Sequence, residues 1–108
     1  MRKLQIYIEI EGKQTYVGLI TGDSPQDARF AYSDSYIAAG YPPISISLPI
    51  SRNPFSAEAT KNFFEGLLPE GFARKTVANW IHAAEDDYLT ILSVLGAECL
   101  GALRISNG

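Results

Sequence analysis

The chain has one cysteine, one histidine and one tryptophan, and nowhere a run of apolar residues approaching the roughly 20 needed to cross a bilayer. A lone Cys99 cannot form an internal disulfide, so the fold must be held by packing, and a reduced thiol suits a reducing cytoplasm. With only His82 and Cys99 as soft ligands, a metal site would need carboxylates in no recognisable spacing, so no metal is expected. Lysine and arginine are scarce too: nine face twelve acidic residues, for a net charge of −3. Neither half of the chain is basic, and no cluster of cations is available to neutralise phosphates, so direct binding to nucleic acid is not expected. The N-terminus alternates apolar with polar residues after Met1-Arg2-Lys3 and lacks the apolar stretch of an export signal. A cytoplasmic protein without membrane attachment is expected.

Phosphate-handling sequences are absent as well. Gly96 and Gly101 have the separation of a phosphate loop, but Ala102-Leu103 stands where Lys-Ser/Thr is required. No G-x-G-x-x-G, H-R-D or D-F-G string occurs, so the parts with which a protein kinase holds ATP and metal are missing from this stretch of chain. Glu85-Asp86-Asp87 sits where a helix start needs a cap and negative charge rather than a metal. Ser45, Ser47 and Ser51 have no neighbouring base in sequence. No catalytic residue and no cofactor are predicted, and the chain is not expected to be an enzyme.

What remains is an ordinary globular composition, 46% hydrophobic and 19% charged over 108 residues, enough for one core and one domain spanning residues 1–108. Leu4, Ile6, Ile8 and Ile10 alternate with polar residues, the period of a strand with one buried face. Glu11-Gly12-Lys13 reads as a turn, and residues 14 to 20 as the second arm of a hairpin. A third strand is predicted around Ala28 to Tyr32, then one helical turn capped near Ser33 and ended by Gly40. Ile44 to Leu48 alternates again and predicts a short edge strand closed by Pro49.

From Ser56 the period becomes helical. Ala59, Phe63, Phe64, Leu67 and Leu68 form one apolar stripe, broken by Pro69 and Gly71. A second helix is predicted with Phe72, Thr76, Val77, Trp80, Ile81 and Ala84 on one face. A third starts at Asp86 or Asp87, carries Tyr88, Ile91, Leu92 and Leu95, and ends at Gly96. Leu100 to Ile105 reads as a last strand pairing with the first. Strands followed by helices predict an α+β fold: a mainly antiparallel sheet of four to five strands with three helices packed in the C-terminal half. Phe63, Phe64, Phe72 and Trp80 crowd into one helical hairpin. Most belong to a core, but adjacent Phe63 and Phe64 point about 100° apart, so one of them can face a partner.

Ser45-Ile46-Ser47-Leu48-Pro49, then Asn62 to Gly71 (NFFEGLLPEG) with Arg74, then Leu92 to Gly96 and Gly101-Ala102-Leu103, resemble the HipA N-terminal subdomain family nearly end to end. The resemblance implies the first subdomain of a bacterial HipA-type serine/threonine toxin kinase. As a separate chain, it implies an antitoxin of the HipS kind from tripartite HipBST toxin–antitoxin systems. Its implied partners are a HipT- or HipA-like kinase, which it would bind and inhibit, and a HipB-like DNA-binding protein in a ternary complex. The alternative is an N-terminal regulatory and assembly subdomain, a fragment of a full-length kinase. The residues assigned to partner binding are Phe63, Phe64, Leu67, Leu68, Pro69, Glu70, Arg74 and Trp80.

Overall fold

A computed structural model of the chain describes residues 2–68, 71–84, 87–95 and 103–106, with the backbone alone described for 71–74. The elements run β1 (Arg2–Ile10), β2 (Lys13–Gly22), β3 (Arg29–Tyr32), α1 (Asp34–Ala38), α2 (Ala57–Glu65), α3 (Gly71–Trp80), α4 (Tyr88–Leu95) and β4 (Leu103–Ser106). The strands form one antiparallel sheet in the order β3-β2-β1-β4. The fold is α+β, as the order of elements in the sequence predicts.

β1 and β2 join through Glu11 and Gly12, whose φ angles of 51° and 79° are both left-handed. A two-residue hairpin loop of this kind matches the right-handed twist of its strands, and glycine takes the second position without steric cost. The register slips between Ile6 and Tyr7: Ile6 faces Gly18 while Tyr7 faces Tyr16, leaving Val17 as a bulged residue. The Val17 carbonyl accepts the Ser33 amide at 2.8 Å, which seats the start of α1 against β2. Ser33 caps α1 by accepting the Tyr36 amide at 3.1 Å.

The apolar face of the sheet packs on the helices. Ile6, Ile20, Phe30, Ile105, Phe64, Tyr88 and Leu92 are among the residues closed off from solvent. β3 is a sheet edge, yet both main-chain groups of Phe30 are used. Its amide donates to the Thr60 hydroxyl at 2.9 Å, and its carbonyl accepts the Phe55 amide at 2.8 Å. The chain before α2 and the first turns of α2 thus close this edge in place of another strand.

Two local expectations are corrected. Residues 44 to 48 form a tight turn rather than a fifth strand: the Leu48 amide donates to the Ser45 carbonyl at 3.1 Å, and the two residues make an isolated bridge. The Ser45 hydroxyl accepts the Ser47 amide at 3.1 Å, a local bond that competes with strand formation. Ile46, which the alternation predicts on a buried face with Ile44 and Leu48, is 99% exposed.

α3 also ends earlier than its apolar pattern. Ala83 donates to the Ala78 carbonyl at 2.9 Å and His82 to the Asn79 carbonyl at 3.3 Å, with His82 at φ 57°. These two bonds around a left-handed residue are the Schellman ending, with histidine where glycine is usual. Among the described side chains of α3 Ala78 is buried; Val77 and Ile81 are half-buried, Thr76, Trp80 and Ala84 lie outside the core, and the side chain of Phe72, predicted on the same face, falls outside the described residues. Asp87 caps α4 as predicted, accepting the Thr90 amide at 3.2 Å. The predicted cap Asp86, the helix stop at Gly96 and the start of the last strand fall outside the described residues.

Candidate functional site, a groove between the serine turn and the second helix

α2 begins at Ser56, whose hydroxyl accepts the Ala59 amide at 3.1 Å, and Glu58 lies in its first turn, where negative charge suits the dipole. The rotation of about 100° per residue then separates the two phenylalanines. Phe64 is fully buried against Phe30, with ring centroids 5.5 Å apart. Phe63 is half-buried at the edge of the core, edge-on to Phe64 with ring centroids 4.9 Å apart. One turn on, Leu68 is buried and Leu67 half-buried.

Phe63 and Leu67 consequently line the inside of an open groove with Ala59, Asn62, Gly66 and Ser47. Its volume is about 460 Å³. Ser47 comes from the turn at residues 45 to 48, 12 positions before Ala59 of α2, so two segments separate in sequence meet on one surface. The wall on the α2 side is mostly apolar. Asn62 and Ser47 supply the polar groups, and the groove contains no titratable side chain.

The turn wall is braced from below. The Tyr32 hydroxyl accepts the Ile44 amide at 3.0 Å and donates to the Leu48 carbonyl at 2.5 Å, spanning the turn. Tyr36, stacked on Tyr32 at 5.7 Å, donates to the Pro42 carbonyl at 2.7 Å. Burial pushes both phenols above their ordinary pKa, so they stay protonated donors at any physiological pH.

The structure divides the sequence-predicted partner residues. Phe63 and Leu67 reach the groove; Phe64 and Leu68 belong to the core and present no surface to a partner. Trp80 is 82% exposed at the end of α3 and is not among the groove residues. Arg74 lies on α3, with its side chain outside the described residues, and Pro69 and Glu70 fall outside them altogether. Sequence reasoning missed Asn62, Ala59 and Gly66 as groove residues and assigned Ser47 to the polar side of a strand. Only the nearness of Ser47 to α2 distinguishes them. Among the described residues no helix is long and apolar enough to cross a membrane, and no cluster of three or more His, Cys, Asp or Glu could hold a metal.

Both walls of the groove fall within a stretch that matches a known domain. The HipA N-terminal domain matches residues 8–106. This chain belongs to the HipA N-terminal domain family. "Putative kinase Y4mE" of Sinorhizobium fredii is 36% identical over 90 residues, covering 82% of this chain and 21% of that protein. The chain therefore spans about a fifth of the length of that relative. An "Uncharacterized protein" of Haemophilus influenzae is 30% identical over 92 residues, which cover 85% of this chain and 83% of the other.

Proposed function

We propose that this HipA-family domain binds a separate HipT- or HipA-type serine/threonine kinase and holds it inactive, acting as an antitoxin with no catalysis of its own. The observation that carries the reading is the groove: Ser47 of the serine turn and Asn62 to Leu67 at the end of α2 meet on one open, largely apolar surface. An accessible apolar surface rimmed by polar groups suits the docking of a protein partner. The domain would work in the cytoplasm, without a cofactor, and a HipB-like DNA-binding protein would join the pair in a tripartite toxin–antitoxin complex of the HipBST kind. Inhibition then comes from differential affinity, since a bound domain favours whichever kinase conformation it fits best.

Titrating the domain into the neighbouring HipA- or HipT-type kinase should abolish autophosphorylation at a one-to-one ratio and give a co-eluting complex. A kinase that autophosphorylates normally in excess domain overturns the reading.

A second reading is favoured by the similarity to "Putative kinase Y4mE", of which the matched region is a fifth. On it, the domain is the N-terminal regulatory and assembly subdomain of a full-length HipA-type kinase. Codons for a kinase core continuing in frame beyond Gly108 would decide for this alternative.

A further inference from the structure

We draw no further inference here: the strongest candidate, the face of the sheet turned away from the buried core, where Tyr7 meets Tyr16 edge-on at 5.5 Å and pairs across with Arg104, carries nothing, because nothing in the structure shows what covers it.

Discussion

Arg2 in the first strand donates to the Asp87 carboxylate at 3.2 Å and to the Thr90 hydroxyl at 2.8 Å, closing the N-terminal cap of α4 from 85 positions away. The same carboxylate accepts the Thr90 amide at 3.2 Å and the Thr90 hydroxyl at 2.6 Å. Burial pushes the Asp87 pKa upward, but the bonds from Thr90 and the Arg2 charge outweigh it and hold the carboxyl below its ordinary value.

Asp87→Ala should therefore cost about 0.5–2 kcal/mol, the usual loss for a helix cap, measured by urea unfolding at neutral pH. A depressed folded pKa gives stability that is fully present above the unfolded value and lost as pH falls through the folded one. The gap between wild type and Asp87→Asn should accordingly shrink on acidification below about pH 4.

Tyr88 is fully buried, and its hydroxyl has no hydrogen-bond partner among the described residues. Burial, reinforced by the Glu65 carboxylate, pushes its pKa up to about 12. A raised phenol pKa leaves stability intact below the ordinary value of about 10 and erodes it as pH climbs toward the folded value. Tyr88→Phe should be neutral or more stable by up to about 1 kcal/mol, since it removes a buried polar group that gains nothing. It should also flatten the alkaline limb of the stability curve, which chemical unfolding from neutral to strongly alkaline pH will read.

Thr60→Val keeps the shape of a fully buried side chain and deletes the acceptor of the Phe30 amide. The expected loss is about 1–3 kcal/mol, the penalty for an orphaned buried donor. Hydrogen exchange at the Phe30 amide should accelerate more than at amides paired within the β1–β2 hairpin.

Gly18 and Gly12 should answer alanine differently. A Cβ on Gly18 would lie 2.1 Å from the Ala31 carbonyl oxygen, a main-chain atom that cannot step aside while β2 and β3 stay paired. Gly18→Ala should cost about 3 kcal/mol or more and loosen β3. At Gly12 a Cβ meets nothing, so Gly12→Ala should carry only the left-handed backbone penalty of about 1–2 kcal/mol. Thermal unfolding of the two variants side by side gives the comparison.

Asn62→Arg tests the groove itself. Asn62 is exposed on α2, so arginine should change stability by less than about 0.5 kcal/mol while filling the space between Phe63 and Ser47. Loss of kinase inhibition with an unchanged melting curve is the expected result.

The elements were legible wherever a local pattern carries its own signal. Alternation marks β1, left-handed residues mark the hairpin turn, and Ser33, Ser56 and Asp87 accept the amides of the helices they start. The family strings, too, can be read from residue order alone. Misleading signals arose where a local pattern fits two structures. Alternating Ile and Ser between prolines suits a strand, but short serine side chains can equally bond their own main chain into a turn, and only the tyrosines beneath choose the turn.

What sequence alone determined is the membership of a family and most of the elements, the turn at 45 to 48 excepted, because helical and strand periods and caps act within a few residues of themselves. Which of Phe63 and Phe64 lies inside, whether Trp80 joins the core, and the meeting of Ser47 with α2 were decided by tertiary packing. A helix has room to bury only one side of itself. The side it buries depends on what the sheet and the turn at 45 to 48 offer across the gap, and those contacts join residues far apart in the chain.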